Sequence, residues 1–155
     1  MDRLIYDEDT AFRLADDAAT LARIVRTVPA DTLRATRFGE WSAVEVIGHL
    51  ADAAEIFADR VARCIDEDRP AIASYDQDAL AAERRNAERD PLELARRVMS
   101  AHRRMVQLLA APERRSRPGT HSAWGEVDAG HFAAYQAQHA RDHVAELAKK
   151  FPPAA

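Results

Sequence analysis

From Trp41 to about Asp66 the chain reads as one long amphipathic helix, and that stretch limits the fold more than any other. Ser42 with Glu45 three residues on forms a capping box, the side-chain signature of a helix start. Beyond it Val46, Leu50, Ala53, Phe57, Val61 and Cys64 return at helical spacing on one face. Trp41, just ahead of the cap, is placed to staple onto Val46. A stripe of that length needs long partners to cover it.

The chain supplies three. Phe12, Leu14, Ala15, Ala18, Leu21, Ile24 and Val25 predict a helix over about 9–26, stopped by Val28-Pro29. Asp90-Pro91-Leu92-Glu93 repeats a start signal, with Asp90 as cap, Pro91 at the first helical position and Glu93 completing the box. Leu92, Ala95, Val98, Met99, His102, Met105, Val106 and Leu109 carry that helix to about Ala110. The last is expected over about 126–150, where Lys149 and Lys150 suit the negative end of the helix dipole and Pro152-Pro153 ends it. Residues 29–40, 67–75 and 112–125 read as connections, and 76–88 as a short charged helix with little apolar surface beyond Leu80. Trp124, beside Gly125, is expected to plug one end of the core. With 155 residues, only 5 glycines and no internal repeat, the chain is expected to form a single all-α domain over 1–155, a four-helix bundle.

Composition removes several functions. Lys and Arg number 22 against 26 Asp and Glu, a formal charge of −4 with no basic block, so nucleic-acid binding lacks its electrostatic footprint. No uncharged apolar run of ~18 residues exists, so no membrane span is expected. The single cysteine, Cys64, has no partner for an internal disulfide, and the acidic start Met1-Asp2-Arg3-Leu4-Ile5-Tyr6-Asp7-Glu8 does not read as a signal peptide. A cytoplasmic protein is the expectation.

The last helix carries the chemistry. His139 and His143 stand four residues apart, one turn along the same face, close enough for both imidazoles to reach one metal ion. Phe132, Tyr135, Gln136 and Leu147 share their arc, so the pair lies in the buried stripe, where ring nitrogens need partners. His49 sits at the edge of the apolar face of the second long helix, near Val46, Ala53 and Ile56. In a bundle, all three can face one cavity.

Trp41-Ser42-x-x-Glu45-Val46-x-x-His49-Leu50-x-Asp52, followed by His139-x-x-x-His143-x-x-Glu146-Leu147, resembles the DinB-like or YfiT-like bundle family over almost the whole chain. The resemblance implies an up-down-down-up four-helix bundle, often a homodimer, with His49, His139 and His143 binding a divalent metal such as zinc or nickel and leaving a coordination position for water. Members of that family include metal-dependent hydrolases and thiol S-transferases using bacillithiol or mycothiol, with a related branch that isomerises maleylpyruvate. The sequence departs from the pattern where many members have a second histidine before the last ligand; here that residue is Asp142.

Independently of the family, three neutral nitrogens leave a zinc-like ion its full double charge, which brings the pKa of a bound water down to ~7 in hydrolytic sites and would deprotonate a bound thiol too. Asp52, three residues after His49, is expected to orient that imidazole or the water from behind, or else to lie on the surface. Glu146, three residues after His143, is a candidate base or hydrogen-bond partner, and Tyr135 a donor to a bound molecule. His131 is rotated off the ligand face, while His102 and His121 have no partner at ligand spacing. Cys64 reads as a small buried apolar residue. Three functions follow: an enzyme acting on a small-molecule substrate, a non-catalytic metal- or small-molecule-binding stress or accessory protein, and a metal-free dimerisation bundle. The last requires the three histidines to be dispersed.

Overall fold

The computed structural model describes residues 2–154. In chain order its helices are α1 (Glu8–Thr27), α2 (Ala30–Ala35), α3 (Ala43–Asp66), α4 (Gln77–Glu83), α5 (Pro91–Leu108) and α6 (Ala129–Lys150). The capping box of α3 forms as expected, Ser42 accepting from Glu45 N and Glu45 accepting from Ser42 N. Helix α1 has a reciprocal box as well, between Asp7 and Thr10. Asp90 caps α5 by accepting from Leu92 N, with Pro91 at the first position. Helix α6 starts at Ala129 instead of Glu126, capped by Asp128, which accepts from His131 N.

The four long helices run up, down, down and up. Cross-helix pairs give the directions. Asp17 of α1 accepts from Arg141 of α6, and Arg23 near the end of α1 donates to Phe151 O just past α6, so these two are parallel. Helices α3 and α5 are parallel too, Arg97 donating to Asp52 and Glu55. Their opposite pairs are antiparallel: His102 of α5 bonds Leu14 O of α1 at 2.8 Å, and Phe57 of α3 packs against Phe132 of α6.

Parallel neighbours cannot be joined by a tight turn, so the chain returns the length of the bundle between α3 and α5. That crossover holds β3 (Ala71–Ile72) and α4, and the diagonal link from α5 to α6 holds β4 (Pro118–His121) and β5 (Gly125–Asp128). The three strands make a small sheet in the order β3-β4-β5, parallel then antiparallel, with Ile72 opposite His121. The link from α1 to α3 contains α2 and a hairpin of β1 (Arg37–Phe38) and β2 (Trp41–Ser42). The segments 29–40, 67–75 and 112–125 are connections as expected, but they carry short elements that the all-α expectation did not include.

The apolar interior falls into two clusters. One, around Leu21, Ile24, Val46, Ile47, Leu50, Leu94, Val98 and Val144, occupies the end where α3 and α5 begin. The other, around Leu14, Phe57, Val61, Met105, Leu109 and Phe132, occupies the opposite end. Along α3 the change falls between Ala51 and Ala54, and along α6 between Ala137 and Ala140. His139 lies at that seam, as do the bonded pair His102 and Gln136.

Candidate metal centre

Two antiparallel helices bring the three imidazoles together. His49 is in the second turn of α3; His139 and His143 are one turn apart on the facing side of α6. One ring nitrogen from each lies within 4.8 Å of the others, and His49 Nε2 and His139 Nε2 are 2.9 Å apart. Nitrogens bound tetrahedrally at 2.0–2.1 Å stand about 3.4 Å from one another, a value those separations bracket. The rings are set edge to face, with centroids 4.8 Å apart for His49–His139 and His139–His143 and 5.2 Å for His49–His143. Trp41, held by the hairpin, tilts against His49 at 5.0 Å. The metal-free reading required dispersed histidines; here they converge.

Burial makes these rings poor bases. It pushes the His49 pKa down to about 4, helped by His143, and that of His139 to about 3, helped by the other two rings. Burial lowers His143 as well, against the nearby carboxylates of Glu146 and Asp142. All three are therefore neutral at neutral pH, the state in which an imidazole can donate a lone pair to a metal. Among the described residues His139 Nδ1 is buried without a hydrogen-bond partner, as is Gln136 Oε1 one turn earlier. A ligating imidazole normally donates its second N–H, so the unpartnered Nδ1 is the nitrogen that would carry the proton if Nε2 took a metal. The donor set fits a borderline-soft divalent ion.

Beside His139 lies a cavity of about 220 Å³. Its walls include Phe57 and Arg60 of α3, Tyr75 from the crossover, His121 and Trp124 from the α5–α6 link, and Tyr135 of α6. Tyr135 stacks on Phe57 at 5.2 Å, and its ring lies 6.4 Å from that of His139. Trp124, expected as a core plug, packs against the core cluster around Phe57 and Phe132 and also forms a cavity wall, stacked on His121 at 4.2 Å. His121 Nδ1 accepts from Ala123 N and Trp124 N, which puts its proton on Nε2.

The remaining candidates are arranged differently from expectation. Asp52 is buried, but its oxygens accept from Arg84 (3.1 Å), Arg97 (2.9 Å) and Asn86 (2.9 Å), and among the described residues no hydrogen bond joins it to His49. The expectation that it orients His49 gives way to a network tying α3 to α5 and to the turn at Asn86. That network had a sequence signal in Gly48, because a Cβ there would stand 2.5 Å from Asn86 Cγ. Glu146 is exposed beyond His143. His131 is buried, its Nδ1 accepting from Leu4 N, away from the cluster. Cys64 is buried, and burial raises its thiol pKa to about 11, which removes it as a nucleophile. Sequence reasoning missed Arg60, although an arginine three residues after Phe57, on a buried helical stripe, is itself a signal.

Fold and cluster define a class: a helical bundle in which three imidazoles from two antiparallel helices are placed to take one divalent ion. The sequence profile of the DinB superfamily matches residues 13–147, and the chain belongs to that superfamily. Among solved structures it is similar to YfiT from Bacillus subtilis, a probable metal-dependent hydrolase with an unusual four-helix bundle topology. The match has a TM-score of 0.77 at 21% identity and covers 99% of this chain and 94% of that one, a likeness of fold. No curated protein matches. Among the described residues no helix is long and apolar enough to cross a membrane.

Proposed function

We propose that the chain is a metal-dependent enzyme of hydrolytic type, with His49, His139 and His143 holding one divalent ion, zinc or nickel. The observation that supports this most is the convergence of three uncharged ring nitrogens within 4.8 Å beside a cavity large enough for a small molecule. When bound, such an ion supplies Lewis acidity and a water made acidic enough to attack at neutral pH. The chain supplies the rest. The imidazoles leave the ion's charge undiminished, in a setting where burial strengthens its field. Trp41 packs against His49 and limits its swing. The phenol of Tyr135 stands at the cavity wall near His139, where it can donate a hydrogen bond to a leaving group. The histidine cluster among the described residues offers three nitrogens, the number of protein ligands catalytic zinc sites use when one position is kept for substrate.

Elemental analysis of the purified protein tests the site. A panel of esters, amides and thiol acceptors, each assayed with and without chelator, tests turnover. The expected result is one equivalent of metal and chelator-sensitive hydrolysis. Thiol conjugation without hydrolysis would move the reading to a thiol S-transferase. Bound metal with no turnover across the panel would make the protein a binding or accessory one.

A further inference from the structure

The cavity beside His139 contains a charge that no carboxylate among the described residues pairs with. Arg60 is only 5% exposed, yet among the described residues no carboxylate lies within ion-pair distance of it. Three more exposed guanidinium groups show the contrast: Arg97 has Asp52 and Glu55, Arg141 has Asp16 and Asp17, and Arg115 has Glu8. Among the described residues Arg60 makes one hydrogen bond, from Nη2 to Ala73 O at 2.8 Å. Otherwise its guanidinium carbon lies over aromatic rings, 4.8 Å from Phe57, 5.5 Å from Phe132 and 5.7 Å from Tyr75. Cation–π contacts recover only part of what desolvating a guanidinium costs, and arginine stays protonated even where burial lowers its pKa, as it does here. The lining of the cavity holds no Asp or Glu, in a chain whose net charge is −4. Its polar groups include His121, with its proton on Nε2, and Tyr75, while Trp124 and Tyr135 add flat apolar walls.

We propose that this cavity is a carboxylate pocket, in which Arg60 binds the carboxylate of a small organic acid whose flat apolar body lies among Tyr75, Trp124 and Tyr135. A guanidinium fork matches a carboxylate in two parallel hydrogen bonds, and the aromatic walls select a planar body over a compact inorganic anion. Because His139 also lines this space, such an acid would present its far end to the imidazole cluster. That delivery rests on the metal-centre reading above; the anion site itself does not.

The test uses benzoate and its uncharged amide, benzamide, titrated by calorimetry into the full chain, both zinc-loaded and chelator-treated. Benzoate should bind both forms at least tenfold more tightly than benzamide does. Arg60→Met should weaken benzoate at least tenfold, leave benzamide unchanged and keep the wild-type metal content; Arg60→Lys should fall between. Equal binding of the two probes, wild-type benzoate affinity in Arg60→Met, or benzoate binding confined to zinc-loaded protein would overturn the proposal, the last because the metal would then be reading the anion. Should Arg60→Met not fold, the Arg60 Nε–H resonance of the wild-type protein decides. It should shift with benzoate and stay in place with benzamide, and an unmoved signal rejects the pocket. His139→Ala separates the two readings: if its metal content is unchanged the metal centre fails, while retained benzoate binding leaves the pocket standing.

Discussion

Two buried polar groups on α3, His49 and Asp52, stand less than one turn apart and lead opposite lives. Asp52 accepts from two arginines and an asparagine, so its charge is neutralised and both its oxygens are engaged. His49 faces two further imidazoles and a tryptophan, with one ring nitrogen 2.9 Å from another and no charged partner. A satisfied network holds elements together and is finished when the chain folds. The imidazole cluster has one internal nitrogen pair at 2.9 Å and no charge to neutralise, and its three convergent nitrogens could hold an ion. Polar residues of similar burial can thus be sorted by whether their partners are already present.

Four experiments bear on that contrast. The largest effect is expected from His139→Ala, which should cut the metal content of the purified protein at least tenfold while leaving the helical far-UV spectrum largely intact; unchanged stoichiometry would erase the distinction. Next is acid. In metal-free protein the depressed imidazoles, His49 and His102 at about 4 and His139 at about 3, refuse protons that the unfolded chain takes up near 6.5. Their contribution is fully present above pH 6.5 and is lost as pH falls toward 4, at roughly 3 kcal/mol for each ring. Asp17 acts in the other direction: burial raises it to about 6 despite Arg141, so the native state gains stability as it protonates below that pH. The imidazoles outnumber it, and denaturation midpoints should drop between pH 6.5 and 4. A flat or rising profile would contradict the burial of the cluster.

Asp52→Ala comes third. It takes the acceptor from the buried Asn86 Nδ2 and leaves Arg97 and Arg84 only Glu55, and should cost about 2–3 kcal/mol in denaturant unfolding while metal stoichiometry stays at the wild-type value. Loss of metal instead would return Asp52 to a role in the site. The smallest effect, about 1–2 kcal/mol, is expected from Gly48→Ala, whose new methyl must displace Asn86 from its place beside Asp52. Unfolding equilibria that match wild type would show that the turn at Asn86 yields freely.

The long helices were legible because their signals are local. Ser42 and Glu45, Pro91, and the apolar periodicity all act within a few residues of themselves. The Asp7–Thr10 box escaped notice because threonine replaces the usual Glu or Gln at the third position. The three-stranded sheet was not legible at all: β3 has two residues, too few for alternation to register, and its partner comes about fifty positions later. The same split runs through the site. His139 and His143 announce themselves by spacing, and His49 by its motif. The cavity walls come from α3, α6 and two connections, and Tyr75, His121 and Trp124 have no common pattern until the sheet brings their segments together. Asp52 was misjudged for the same reason, since Asn86 and Arg84 reach it from a crossover that its own helix does not foretell.

The up-down-down-up order has an evolutionary corollary. Because α3 and α5 point the same way and α6 lies diagonally across from α5, the polypeptide makes one long return and one long diagonal link, and those detours furnish Tyr75, His121 and Trp124. The ion's candidate holders ride on rigid rods, while much of what would touch a guest molecule rides on excursions imposed by topology. Descendants of such a scaffold can therefore revise their diet by rewriting the detours and leave the three histidines alone.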